Sequence, residues 1–472
     1  MDAPIAKRTS WTMLRLVVVL TLIMCLSGCA IPSQKQWPIH KTPALELPAQ
    51  PPMLKPLSID REWWKAFSDA TLNELVADAL VNNADLAKAA ANVAEARANV
   101  GAAKAMLSLR ADAVGKTSTT KRQLSVASDD LNGTTTSATG GIGLNWEIDL
   151  WGRIRQLNEA SLARLTASEH TRNATVLSIS SAVVETYFQL LALDSNLQIT
   201  KDAERNLTEV ADLERRRWKA DVGSELAYSQ SLAELASVEI RIPTIEAAIE
   251  STQLALAILL GHTPRQLTEP LARSGLLPTL PDMPNEFDSV LLLRRPDVAS
   301  AEQMLAAANA DVNAARAENL PRLDFALLAG LIASSSLAIS GFPLYADLGA
   351  GMSAPIYDAG LLQSKVDAAE ARKNKAMTHY RYTVALAFRD VYAAMIDRDT
   401  SDRQVAAAIK QVKLLKQSLA LIEKSYSAGN SSKFEVLAEM IDILNAQTAL
   451  TDARLEQFIA RSEFYKAIGG GF

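Results

Sequence analysis

Cys29 carries the clearest covalent chemistry in this chain, because it closes the run Leu26-Ser27-Gly28-Cys29 behind a basic and then an apolar segment. Lys7, Arg8 and Arg15 precede an apolar stretch over 16–24. That stretch is too short for a stable transmembrane helix, which needs about 20 residues. A basic n-region, a short h-region and small residues before the cysteine read as a lipoprotein signal over 1–28. Cleavage then precedes Cys29, whose thiol takes a diacylglycerol. A plain secretory signal with a chance cysteine is the competing reading, and the small residues at 27 and 28 favour the first. Ala30, where an aspartate would favour inner-membrane retention, points to the outer membrane. Cys25 leaves with the signal, so the mature chain keeps no thiol for a disulfide, a metal or catalysis.

No other residues gather into a reactive constellation. His40, His170, His262 and His379 are far apart, without metal-ligand spacing. No phosphate-binding glycine loop follows a strand. Gly469-Gly470-Gly471 follows a helical stretch and reads as its stop. Carboxylates are spread along helix faces, as on solvated rods. The chain therefore reads as a non-enzyme without cofactor or metal. Residues 1–28 carry three positive charges and one negative, which leaves −7 of the −5 total on the mature chain. That balance excludes nucleic acid as a partner, because phosphate binding needs a basic face.

The elements repeat. Asp85, Ala87, Ala89 and the following alanines recur as Asp297, Ala299 and Ala301 at an offset of 212, and Arg110 and Asp112 recur as Arg322 and Asp324. Gly152, Ala220, Ser224 and Gly261 recur as Gly360, Ala428, Ser432 and Gly469 at an offset of 208. The slip of four residues falls between Asp112 and Gly152, which marks a loop of different length. The expected organisation is a Pro-rich tether over 29–62, a first repeat over 63–261 with strands about 111–148, a linker over 262–284, and a second repeat over 285–472 with strands about 323–356. Each repeat reads as helix, two strands, very long helix, helix. The long helices, about 152–219 and 360–427, contain no proline. At 1.5 Å per residue each reaches ~100 Å. Val405, Ala408, Val412, Leu415, Leu419, Ile422 and Tyr426 step by three and four, the spacing of a coiled coil. Shorter helices over 72–107, 225–260, 286–319 and 433–468 are expected to stack end to end beside the long ones, with a kink at Pro243.

The strands alternate with period two. Ile142, Leu144, Trp146 and Ile148 share one face; Gly143, Asn145 and Glu147 share the other. Leu344, Ala346, Leu348, Ala350 and Met352 alternate with Tyr345, Asp347, Gly349, Gly351 and Ser353. Residues 111–118 and 323–332 are the expected partners; in the latter Leu323, Phe325, Leu327, Ala329 and Leu331 form the apolar set. Such alternation fits a half-buried soluble sheet or a barrel with lipid outside and water inside. The helices are committed to rods and cannot cover the apolar face, which favours the barrel. Four strands cannot close one, and an open edge in lipid costs several kcal/mol per unpaired group, so the chain must share its sheet with copies of itself.

Several runs resemble the outer-membrane factors of efflux systems, of the TolC/OprM type and the NodT lipoprotein branch. They are Trp63-Trp64-Lys65-Ala66-Phe67, Trp146-Glu147-Ile148-Asp149-Leu150-Trp151-Gly152-Arg153, Arg294-Arg295-Pro296-Asp297-Val298 and Pro355-Ile356-Tyr357-Asp358-Ala359-Gly360. The resemblance implies a mainly α chain with a membrane β-barrel. It implies a homotrimer with a 12-stranded outer-membrane barrel, four strands per chain, above a coiled-coil α-barrel tunnel through the periplasm. It implies a passive exit duct for drugs or other small molecules, working with a periplasmic adaptor protein and an inner-membrane pump of the RND type. A type I protein-secretion duct and a periplasmic coiled-coil scaffold lipoprotein are the alternatives. The resemblance also assigns the two helical turns. Val222, Gly223, Ser224, Gly429, Asn430 and Ser431 would contact the adaptor, and Tyr426, Glu435 and Glu439 would line the periplasmic constriction. Asp221, Ala227 and Ala438 depart from the family's usual glycine and two acidic positions there.

Overall fold

The computed structural model describes residues 61–126, 129–263, 278, 280–281, 294–335 and 343–470. The signal, Cys29, the tether up to residue 60 and most of the 262–284 segment lie outside the described residues. The first repeat opens with a short 3-10 turn, Trp63–Phe67, followed by α1 (Ala70–Asn82), α2 (Ala84–Ala105), β1 (Arg110–Val126), β2 (Asp129–Ile148), α3 (Arg153–Lys219), α4 (Glu225–Glu239) and α5 (Arg241–Leu259). The second contains α6 (Pro296–Ala317), β3 (Arg322–Ser334), β4 (Leu344–Ser353), α7 (Leu361–Ser427) and α8 (Lys433–Ala467).

The two long helices are 67 residues each. Both begin after a left-handed glycine, Gly152 at φ 79° and Gly360 at φ 84°, a conformation that strains any Cβ. The free N–H groups of each first turn are met by an aspartate upstream. Asp149 accepts from the amides of Ile154 at 3.1 Å and Arg155 at 2.9 Å; Asp358 accepts from Gly360 at 3.0 Å and Leu362 at 2.7 Å. The heptad positions Val405 and Val412 are buried, and Ala408, Leu415, Leu419, Ile422 and Tyr426 are half-buried. Two stretches, in α3 and across α4–α5, are long and apolar enough to cross a membrane by composition; the α3 stretch is mostly buried within the chain, whereas the α4–α5 stretch is mostly bare.

Three expected helices and two expected strands come out differently. The helix expected over 72–107 is two, α1 and α2, parted at Asn83. That residue is extended (φ −63°, ψ 130°), and its side-chain oxygen caps α2 by accepting from Asp85 and Leu86. The helix expected over 225–260 is also two, parted at Ile240, three residues before Pro243, where the proline ring disfavours continuation. Its counterpart α8 has no proline and runs unbroken. The helix expected over 286–319 begins at Pro296, with Arg295 extended ahead of it; 286–293 lies outside the described residues. The strands β1 and β2, 17 and 20 residues, outrun the expected 111–118 and 142–148.

The four strands form one antiparallel sheet in the order β1-β2-β3-β4. Leu144 faces Leu327, which faces Leu348; Trp146 faces Phe325, which faces Ala350; Ile142 faces Ala329, which faces Ala346. The period-two apolar sets therefore lie on one side of the sheet, and among the described residues no helix packs over that side. Leu344, Leu348 and Met352 are 83%, 66% and 76% exposed. Glu147, Asp324, Asp347 and Asn145 belong to the opposite set. Among the described residues, β1 and β4 each have one unpaired edge.

The largest apolar core joins the opening turn to the middle of α3. Phe67 and Phe188 are fully buried, and the Phe188 ring lies 4.5 Å from that of Phe458 on α8. The Tyr187 hydroxyl donates to Asp69, which also caps α1 by accepting from Leu72. Nearby, the stacked helices are joined end to end twice. Asn83 donates its amide to the Leu259 carbonyl at 2.8 Å, and Arg295 donates to the Ala467 carbonyl at 2.8 Å. Each bond satisfies a carbonyl that a helix end leaves free. Arg295 also binds Asp297 through two nitrogens (3.0 and 2.8 Å) and Asp390 (3.2 Å). Burial works against its charge, and the two aspartates outweigh that. The Arg-Pro-Asp-Val run is thus the joint between α6 and α8.

Candidate functional site

Two regions answer to the sequence signals: the junction where strands become long helices, and the pair of turns at the far end of those helices. The run from Trp146 to Arg153 builds the junction. The Trp146 indole donates to the Leu107 carbonyl at 3.1 Å, and Trp151 to the Pro321 carbonyl at 2.7 Å. Both carbonyls end helix-to-strand crossings, one in each repeat. Arg153 binds Glu147 through two nitrogens, the closest at 2.7 Å, and both side chains are largely shielded. Burial would raise the Asp149 carboxyl, but the Arg155 and Ile154 amides and the Arg155 side chain hold it below the usual carboxylate range. The Asp358 carboxyl is lowered by the Leu362 amide first and the Gly360 amide second. The second repeat has no tryptophan at its junction: Ile356 and Tyr357 are fully and 90% exposed.

At the tips the two turns share one backbone. α3 ends at Lys219, and Val222 donates back to the Arg217 carbonyl at 3.0 Å; α7 ends at Ser427, and Asn430 donates back to the Ser425 carbonyl at 2.9 Å. Asp221 (φ 59°) and Gly429 (φ 79°) hold the same left-handed position. Aspartate tolerates that region better than most side chains, so the departure at Asp221 leaves the turn intact. At Gly223 a Cβ would lie 2.9 Å from that of Arg217, so the turn is packed against the helix it leaves. Ser224 caps α4 by accepting from Ala227, and Ser432 caps α8 by accepting from Glu435. Val222 is 68% exposed; Ser431 donates to Ser425 at 2.6 Å.

The three residues expected at the constriction have different surroundings within the chain. The Tyr426 hydroxyl accepts from Arg217 of α3, and the Lys433 ammonium sits 5.2 Å from its ring centre. Glu435 is exposed; its amide donates to the Ser432 hydroxyl at 3.4 Å, and its carboxylate accepts from that hydroxyl at 3.2 Å. Glu439 is half-buried, with Oε1 shielded and unpaired. Glu214, 3% exposed, lies 3.6 Å from Arg217. Burial pushes Lys433 below the usual lysine value; Glu214 and Glu423 oppose that and Arg217 adds to it. Arg217, Lys433 and Glu214 are the tip residues sequence reasoning passed over. A signal existed: the basic run Arg215-Arg216-Arg217 directly precedes Trp218, which is Tyr426's repeat equivalent. No group of three or more potential metal ligands occurs among the described residues. Polar tips, a bare apolar sheet face and a helix of ~100 Å between them make a conduit rather than a reaction chamber.

Known proteins share this arrangement. The sequence profile of the outer membrane efflux protein family matches residues 75–262 and again 289–470, one match per repeat. The pyoverdine export outer membrane protein OpmQ of Pseudomonas putida is 32% identical, over 98% of this chain and 98% of its own. Among solved structures, the outer-membrane channel OprN superposes with a TM-score of 0.81 at 27% identity, covering 88% of this chain and 94% of that one. The CmeC outer membrane channel of Campylobacter jejuni gives 0.81 at 27% identity, covering 90% and 91%. The four-strand sheet and paired long helices are thus a TolC-like architecture, and the scaffold alternative, which has no use for the sheet, falls away. The chain belongs to the outer membrane efflux protein family and is a channel component, not an enzyme.

Proposed function

We propose that three copies of this chain form the outer-membrane exit duct of a tripartite efflux system. The observation that carries this is the uncovered sheet: four strands, one apolar face open, both outer edges unpaired, joined directly to two 67-residue helices. In lipid, the edges demand closure and the apolar face finds its solvent. Three chains supply twelve strands, and their helices continue the wall as a tunnel into the periplasm. Cys29 carries the lipid that anchors the tether to the outer membrane. The turns Val222-Gly223-Ser224 and Gly429-Asn430-Ser431 receive a periplasmic adaptor, which links the duct to an inner-membrane pump, of the RND class, that delivers small molecules. The repeats are assigned to 63–261 and 285–472, joined by 262–284.

The tip network keeps the duct narrow at rest. Arg217 on α3 holds Tyr426 on α7, and Lys433 packs on the same ring. Glu435 and Glu439 give the entrance a negative field that favours cations. Adaptor docking at the turns replaces the Arg217–Tyr426 bond. The test is conductance of the purified protein in planar bilayers. The duct reading expects discrete cation-preferring channels of small conductance. Silence in the native protein and also in the Arg217→Ala/Tyr426→Phe double variant, with the folded state verified by circular dichroism, would refute it.

A further inference from the structure

The two helical hairpins share a backbone but not a charge pattern. At the offset of 208 residues, Asp202, Glu204 and Glu209 of α3 become Lys410, Val412 and Gln417 of α7. Residues 196–214 hold five carboxylates and two cations; residues 404–422 hold three lysines and no carboxylate. The difference is sharpest where each long helix meets the helix that returns from its turn. In the first hairpin Lys201 of α3 donates to Glu246 of α5 at 2.9 Å, and Arg205 pairs with Asp202. In the second, the positions of Lys201 and Glu246 are taken by Ile409 and Arg454. A cross-helix ion pair has become an isoleucine and a cation.

At that place a cleft of about 560 Å³ lies between α7 and α8. Its lining joins the apolar side chains of Ile409, Val412 and Leu450 to the cations Lys413, Lys416 and Arg454. Ile409 is 47% exposed. Lys413, Lys416 and Arg454 are exposed, and none makes an ion pair or hydrogen bond among the described residues. Three like charges around one cleft repel one another until an anion joins them. The guanidinium offers a planar fork that matches an oxyanion through two N–H groups, and the two ammonium groups add compact point charges. The volume is that of a small-molecule site.

We infer that this cleft binds a small anionic amphiphile. Arg454, Lys413 and Lys416 hold its carboxylate, sulfonate or phosphate headgroup, and a short apolar body lies on Ile409, Val412 and Leu450. The bound molecule bridges α7 and α8 where the first repeat uses Lys201 and Glu246. One hairpin is thus tied by its own side chains and the other by what it binds. The counterpart cleft carries its own carboxylate, Glu246, and is closed to an anion. The site lies within the second hairpin of a single chain, so it needs no second copy.

Isothermal titration of the full-length protein in phosphatidylcholine nanodiscs tests it, with the heat of empty discs subtracted and 1-naphthalenesulfonate as the probe. One probe is expected per chain. Inorganic sulfate, which lacks the apolar body, and 2-naphthol, a neutral ring system of the same size, are each expected to bind about tenfold or more weakly, the scale of a lost interaction with a charged group. Arg454→Glu gives the second hairpin the acid of the first. It is expected to weaken the probe by about tenfold or more while leaving the melting temperature unchanged or higher, which a merely structural arginine would not do. The Lys413→Gln/Lys416→Gln double variant repeats the test from the other helix, should Arg454→Glu fail to fold. Affinity unchanged in the folded variants, or 2-naphthol binding as tightly as the sulfonate, overturns the inference. Two probes per chain overturn its assignment to the second hairpin. A native protein that ignores the probe leaves the cleft to an acidic helix of another protein and overturns the ligand class.

Discussion

At the first helical turn Trp218 stacks on Tyr228 of its own hairpin, with 5.6 Å between ring centroids and planes 17° apart. At the second turn the equivalent aromatic, Tyr426, reaches out of its own hairpin to Arg217 of the other repeat. The same contrast recurs where short helices meet end to end. Asn83 closes its joint with a neutral amide, and Arg295, 212 residues on, closes the matching joint with a buried guanidinium and two aspartates. Both joints reach the last residue of the facing helix, Leu259 or Ala467, and both place a left-handed glycine just beyond it, Gly261 or Gly469. A duplicated backbone thus sets shared geometry, and a few unmatched side chains decide which hairpin stands alone and which is tied to its neighbour.

The largest expected effect sharpens the contrast between joints. Arg295→Ala removes the guanidinium that joins Asp297, Asp390 and the Ala467 carbonyl, while Asp390 keeps Arg389 and Asp297 keeps the Val298 amide. It should cost about 2 kcal/mol, the scale of hydrogen bonds to a charged group, read as a fall in melting temperature in detergent. Asn83→Ala removes a cap and one further bond and should cost about 1 kcal/mol. Equal losses would mean that the charge at Arg295 adds nothing. Next, the tips should differ in conductance. Tyr426→Phe removes the cross-repeat bond, worth about 1.5 kcal/mol because one partner is charged, and should raise channel open probability up to about tenfold. Trp218→Ala should leave it unchanged, because that stack lies within one hairpin.

A smaller effect concerns acid. The carboxyls of Asp149 and Asp358 are held low by helix amides. Their contribution is complete above the ordinary aspartate value, about pH 4, and is lost as pH falls through their folded values. Asp149→Asn should therefore lower thermal stability at pH 7, with the gap from the parent closing below about pH 4. Asp358→Asn should do the same more weakly, because its site is open to water. Smallest is Glu435. Glu435→Ala removes the carboxylate that accepts from the Ser432 hydroxyl, about 0.5 kcal/mol. Glu435→Gln keeps an acceptor there and should instead reduce cation preference without altering stability.

Much of the architecture is legible in the sequence. Two stretches without proline announce α3 and α7, the three-and-four spacing to Tyr426 names the packed face of α7, and strict alternation gives the sheet its apolar side. What escaped did so for physical reasons. The outer halves of β1 and β2 are Thr, Ser and Gly tracts, with no apolar contrast from which to read a period. Asn83 breaks an alanine-rich helix by capping its own next turn, a choice that helix propensity disguises. The tip was legible only in outline: Tyr426 could be singled out, but its partner Arg217 lies 209 residues away on another helix, and only packing brings them together. Ser432-x-x-Glu435, by contrast, is a capping signature that was open to reading.

The central claim is that one chain's sheet is incomplete and is finished by copies of itself in the outer membrane. Native mass spectrometry of the protein extracted in mild detergent tests it most directly. The account predicts a single species of three chains that persists on dilution and separates into monomers only on heating. A folded, monodisperse single chain with its four strands intact would contradict it.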